Sequence, residues 1–199
     1  MTLDRFRPYA DRALRPWVRA ADALGLSPDG VSVVAFGLAV AAAGAFYLGG
    51  LVGYLGGAVL VFCNGWLDLV DGALARKQQR ASAAGDLLDH VLDRYADIFV
   101  IAGLAAGVGR YALGLAAVTG VLMTSYLGTQ AQAVGLDRVY GGLLGRADRL
   151  ALVGVVGAVA AFAPAVGGYS VVAALLALFA AVGHLTAVQR FYHAWRELD

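Results

Sequence analysis

Asp68-Leu-Val-Asp71-Gly72-Ala-Leu-Ala75-Arg76, then eight residues, then Gly85-Asp-Leu-Leu-Asp89-His-Val-Leu-Asp93 decides the reading of this chain. The stretch places four carboxylates in segments that are otherwise apolar. An ionised carboxylate inside a bilayer-spanning helix is costly and is kept for a task such as binding a cation or handling protons. Asp68 and Asp71 are three residues apart; Asp89 and Asp93 are four apart. At the helical period each pair lies on one face of its helix. Two such faces turned toward each other make an all-oxygen cage, which suits hard divalent cations such as Mg²⁺ or Mn²⁺. Two divalent ions would neutralise four carboxylates; one ion with partly protonated carboxylates would serve as well.

The composition places those carboxylates in a membrane. Of 199 residues, 60% are hydrophobic and only 15% charged, against roughly 25% charged in soluble domains. The apolar excess falls in six blocks, at roughly 31–48, 52–75, 84–107, 111–134, 149–164 and 168–190. Each is near the roughly 20 residues that a span needs. The expected fold is therefore all-α: an integral membrane bundle of six transmembrane helices, in one domain covering residues 1–199. Residues 3–24 carry Arg5, Arg7, Arg12, Arg15 and Arg19 beside Leu3, Phe6, Tyr9, Leu14, Trp17 and Val18. They read as a juxtamembrane amphipathic helix on the membrane surface, the other reading being a polar tail. The bundle proper is expected over 31–190.

Loop charges orient the bundle. Arginines and lysines gather in the N-terminal segment, at Arg76, Lys77 and Arg80, at Arg138, Arg146 and Arg149, and in the tail at Arg190 and Arg196; the alternate connections hold only Arg110. The positive-inside rule then predicts a multi-pass protein of the cell membrane with both termini and the acidic loop in the cytoplasm. The single cysteine, Cys63, excludes an intrachain disulfide, and the scattered histidines speak against zinc. No nucleic-acid partner is expected. The abundant glycines imply close helix packing.

Around the acidic pairs, Gly72 leaves room for a ligand beside Asp71, and Arg76 lies four residues further on, within reach of a phosphate. Gly85 opens the next helix, whose N-terminus favours anions, and Ser82 offers a hydroxyl. The order D-x-x-D-G-x-x-A-R-x8-G-x-x-x-D-x-x-x-D resembles the signature of the CDP-alcohol phosphotransferases, and Asp68, Asp71, Gly72, Ala75, Arg76, Gly85, Asp89 and Asp93 meet every fixed position. The resemblance extends along the whole chain. It implies that Asp68, Asp71, Asp89 and Asp93 bind two Mg²⁺ or Mn²⁺ ions at the pyrophosphate of a CDP-linked lipid. It further implies that Gly72, Arg76 and Ser82 contact the CDP moiety, that Asp93 is the general base, and that the protein is a homodimer. The family's Pro-Asn-x-x-Thr stands here as Pro28-Asp29-Gly-Val-Ser32, two departures that keep oxygen acceptors, and the resemblance implies cytidine contacts at Asp29 and Ser32.

The second half bears on the acceptor. Arg138, Arg146 and Arg149 form a cationic cluster on the side of the acidic site, and guanidinium forks suit phosphate. Such a cluster calls for an anionic acceptor. The pattern is similar to inositol-phosphate-using members, most of all the archaeal branch that forms archaetidylinositol phosphate. By that resemblance the substrates are CDP-archaeol and 1L-myo-inositol 1-phosphate, with CMP released. Formation of phosphatidylinositol phosphate or phosphatidylglycerophosphate is the nearest alternative. A cation-coupled transporter is a different class; it would show internal repeats and midplane helix breaks, and the sequence has neither. Asp86 and Asp97 share the acidic stripe, either as substrate contacts or as packing polars. Arg94 either pairs within the bundle or meets substrate, His90 reads as structural, and Tyr126, Gln130 and Gln132 are either packing groups or cavity lining.

Overall fold

The structure, a computed structural model, describes residues 7–137 and 142–199, with side chains from residue 12 onward. Arg5 and Arg138 therefore lie outside the described residues. The chain forms α1 (Arg7–Ala23), α2 (Pro28–Leu48), α3 (Gly50–Gln78), α4 (Ala83–Gly107), α5 (Tyr111–Ala133), α6 (Arg146–Phe162), a hairpin of β1 (Ala165–Val166) and β2 (Tyr169–Ser170), and α7 (Val171–Leu198).

Helix starts follow the sequence's polar punctuation. Ser27 Oγ accepts from the Gly30 N–H at 3.1 Å, with Pro28 at the first helical position of α2. Ser82 Oγ accepts from the Gly85 N–H at 3.0 Å and starts α4. Ser170 starts α7 through the Ala173 N–H. At the C-terminus of α3, Gln79 adopts a left-handed conformation (φ 53°) and reverses the chain toward α4. The helices match the six apolar blocks to within a few residues, except that α7 starts later and runs on to Leu198. The late start is due to the hairpin at 165–170, whose turn glycines Gly167 and Gly168 both have positive φ.

Small residues set the spacing of the bundle. A Cβ at Gly103 of α4 would lie 2.3 Å from the Ala43 carbonyl oxygen of α2, and one at Gly183 of α7 would lie 2.7 Å from the Gly120 backbone of α5. The main core joins Phe46, Val61, Leu104, Val121, Leu176 and Phe179. In a second cluster Leu14, Val18 and Ala21 of α1 pack on Val31, Val70 and Leu74. Arg12, Arg15 and Arg19 stay exposed on the other face of α1. Its end is tied down where Asp22 receives Lys77 Nζ at 2.7 Å and Gln78 Nε2 at 2.9 Å. These two donors hold the Asp22 carboxyl below its usual range.

The outside of the bundle is apolar: Val33, Val52, Phe62, Leu115, Val155, Phe162 and Val188 are all exposed. A surface of this kind belongs in lipid. Among the described residues four helices, α2, α3, α5 and α7, are long and apolar enough to cross a membrane. α4 carries five charged residues from Asp86 to Asp97, and α6 is only 17 residues long with Arg146, Asp148 and Arg149 in its first turn.

Candidate active site

α3 and α4 are joined by the short Gln79–Ser82 turn and both pack against α2, which brings their acidic faces together. One carboxylate oxygen each from Asp68, Asp71 and Asp89 lies within 4.8 Å of the other two. Asp71 is buried and accepts from Ser32 Oγ at 2.7 Å, which orients it. Three converging hard oxygens fit a divalent cation such as Mg²⁺ or Mn²⁺. Asp93 joins the group through a cation from the chain itself. Arg146 of α6 reaches Asp68 Oδ2 with Nη1 at 2.6 Å and Asp93 Oδ1 with Nη2 at 2.6 Å. The fork bridges α3 and α4 and neutralises part of the acidic charge.

Above the carboxylates opens a cavity of about 220 Å³. Asp29, Ser32, Gly72, Arg76 and Ser82, the five residues expected at the CDP moiety, all line it, together with Asp71, Asp89 and Arg80. Asp29 lies against the first turn of α4: a Cβ at Gly85 would stand 3.2 Å from Asp29 Oδ1 and 3.3 Å from Ser82 Oγ. The Arg76 guanidinium lies beside Gly72, 3.6 Å from where a Cβ would be. Glycine at 85 thus spares Asp29 and Ser82 a crowding side chain, while at 72 a Cβ would make only ordinary contact.

The expected acceptor arginines separate in space. Arg146 faces the carboxylates. Arg149 is buried and donates to Asp97 Oδ2 at 3.0 Å, which makes Asp97 a pairing group between α4 and α6. Arg138 lies outside the described residues. Arg94 pairs within the bundle, 3.5 Å from Asp93 and donating to Ser125 Oγ. His90 turns to Asp86 on its own helix, with Nδ1 2.8 Å from the Asp86 carbonyl oxygen. Tyr126, Gln130 and Gln132 are exposed. Two residues near the site escape the sequence reading. Arg80 lines the cavity from the turn, and Asn64, one helical turn before Asp68, is 2% exposed and donates through Nδ2 to the Ala35 carbonyl at 2.9 Å. The spacing of four between Asn64 and Asp68 was the available signal.

A bundle of apolar-faced helices with a carboxylate cluster under a polar cavity defines a class of membrane proteins equipped to hold a divalent cation beside a polar ligand. Residues 25–183 match the model of the CDP-alcohol phosphatidyltransferase family. The archaetidylinositol phosphate synthase of Methanothermobacter thermautotrophicus is 34% identical over 98% of this chain and 95% of its own length. The phosphatidylinositol phosphate synthase of Mycobacterium tuberculosis, solved with CDP-DAG bound, superposes with a TM-score of 0.80 at 28% identity, covering 92% of this chain and 94% of that one. The same enzyme in complex with manganese and citrate gives a TM-score of 0.79 at 28% identity, covering 92% and 88%. The chain belongs to the CDP-alcohol phosphatidyltransferase family. It is a phosphotransferase of phospholipid biosynthesis, and a membrane protein.

Proposed function

We propose that the chain transfers the phospholipid moiety of CDP-archaeol to 1L-myo-inositol 1-phosphate, releasing CMP and forming archaetidylinositol phosphate. The observation that carries this reading is the juxtaposition of two features: a cavity lined by Asp29, Ser32, Gly72, Arg76 and Ser82, and a carboxylate cluster whose far side is held by an arginine fork. The near-full-length likeness to an archaetidylinositol phosphate synthase supports the choice of substrates.

In this reading the cavity takes the CDP headgroup, with Arg76 at its phosphates and Asp29 and Ser32 toward cytidine. Asp68, Asp71, Asp89 and Asp93 would hold two Mg²⁺ or Mn²⁺ ions, which supply charge neutralisation at the pyrophosphate. Arg146, with Arg149 behind it and Arg138 from the preceding connection, binds the phosphate of the acceptor. Asp93 accepts the proton of the acceptor hydroxyl as its oxygen bonds to the β-phosphorus, and the bond from that phosphorus to CMP breaks. Asp97 serves by fixing Arg149.

The same proposal includes the frame. Residues 1–199 form one domain with six spans, α4 and α6 crossing beside the four strongly apolar helices, and α1 lies on the membrane surface. Both termini and the cavity face the cytoplasm, as the arginine distribution supports, and two copies associate as a homodimer. The lipid enters from the bilayer and the acceptor from water. A second reading, phosphatidylinositol phosphate synthesis, draws on the likeness to a structure with CDP-DAG bound. One experiment separates the two: purified protein is given CDP-archaeol or CDP-diacylglycerol with labelled inositol 1-phosphate, glycerol 3-phosphate or serine. The expected result is CMP release with inositol 1-phosphate, faster with CDP-archaeol. Turnover only with serine or glycerol 3-phosphate overturns the acceptor assignment.

A further inference from the structure

Below the carboxylate cluster lies a second, much smaller cavity of about 10 Å³, bordered by Asn64, Asp68, Asp89, Asp93 and Arg146. Two buried polar atoms of its bordering residues lack a partner among the described residues: Asn64 Oδ1, an acceptor, and Arg146 Nε, a donor. The Asn64 amide cannot satisfy itself by flipping. Its Nδ2 donates to the Ala35 carbonyl, and a flip would set oxygen against oxygen there. A polar space of this size holds about one water molecule. Such a water accepts from Arg146 Nε–H and donates to Asn64 Oδ1, so each orphan is met by the group it needs. Its second proton is available to a carboxylate of the same cavity.

We propose that Asn64, acting through one buried water, is a positioning residue for Arg146. The guanidinium is a planar fork. Nη1 is held by Asp68 and Nη2 by Asp93; the water link secures Nε, the remaining corner. With all three nitrogens held, the fork keeps one tilt across the gap between α3 and α4. Ala35 ties the same amide to α2, so the orientation of Arg146 is referred to three helices besides its own. This adds to the role of Arg146 in the acceptor reading above, while the link itself does not depend on which acceptor is used.

The test is a double-mutant cycle on thermal stability of the purified protein in detergent with EDTA, using Asn64→Leu, Arg146→Lys and the pair. Arg146→Lys keeps the positive charge between Asp68 and Asp93 but removes Nε–H. The expected result is non-additive: the double variant loses clearly less Tm than the sum of the two single losses. Additive losses overturn the proposal. Should Asn64→Leu not fold, Asn64→Ser replaces it in the cycle. Kinetics supply the readout that a purely structural role would not move. Asn64→Leu should raise the acceptor KM about tenfold with the CDP-lipid KM little changed, and Asn64→Ser, which leaves room for a second water, should raise it less. Equal effects on both KM values, or Asn64→Ser worse than Asn64→Leu, count against the link. Failure of the wild-type chain to use inositol 1-phosphate would refute the substrate reading alone and leave the stability cycle to decide on Asn64.

Discussion

At the end of the bundle where α3 turns into α4, helices meet through charge: Asp68, Asp93 and Arg146 join three helices, Asp97 and Arg149 join α4 to α6, and Asp22 and Lys77 fasten α1 to α3. At the opposite end, where α4 leads to α5 and the hairpin leads to α7, Gly109, Gly167 and Gly168 make the turns and Arg110 is exposed. Further along, α5 and α7 touch backbone to backbone at Gly120 and Gly183, helped by Thr124 Oγ1 donating to the Gly183 carbonyl at 2.8 Å. The contrast shows how a membrane enzyme divides its work. Side chains that cost most to bury are concentrated where they neutralise one another beside a cavity, and the remaining helices are fitted together by removing side chains altogether.

The contrast can be broken from either side, and the expected effects descend in size. Stripping divalent ions with excess EDTA should stop turnover completely, with Mg²⁺ or Mn²⁺ restoring it; steady CMP release under chelation would remove the metal role of the acidic end. Asp93→Asn should lower kcat by about 10²–10⁴-fold, the usual worth of a general base, while the helical circular dichroism stays that of the parent. Near-normal turnover would eliminate Asp93 as the proton acceptor. Arg146→Ala should raise the acceptor KM by tenfold or more and the CDP-lipid KM much less, whereas Arg110→Gln at the other end should leave both alone. An effect of Arg110→Gln equal to that of Arg146→Ala would erase the distinction between the ends. Gly183→Leu should cost about 1–3 kcal/mol of stability through overpacking, read as a lower Tm, with substrate KM values unchanged in the folded fraction. The smallest effect concerns pH. Asp22 has its pKa lowered in the folded protein by Lys77 and Gln78, so its contribution is present above the ordinary carboxylate range and fades as pH falls through the lowered value, below about pH 4. The packing of α1, followed by Trp17 fluorescence, should loosen over that window in the parent and show no such step in Asp22→Asn.

How much of this was legible in the sequence depends on the range of the interaction concerned. The helix-period spacing of Asp68 with Asp71 and of Asp89 with Asp93, and the short connection between them, are local facts, and they place the acidic faces together. Ser27, Ser82 and Ser170 mark helix starts by local chemistry as well. The hairpin at 165–170 carried a signal too, a Gly-Gly pair between Ala-Val and Tyr-Ser, but two-residue strands are too short for an alternation to register. Arg146 on Asp68 and Asp93, Arg149 on Asp97 and Asn64 on Ala35 join residues from 29 to 78 positions apart. No periodicity encodes which helix face will meet which, so the arginines read as one cluster although two of them divide between a carboxylate fork and a buried pair.

The Arg146 fork has a consequence for which substitutions the bundle can bear. One guanidinium lies between a carboxylate of α3 and a carboxylate of α4, so a neutral residue at 146 leaves two helices presenting like charges to one gap. The harm of that single change is therefore spread over three helices and is not confined to α6.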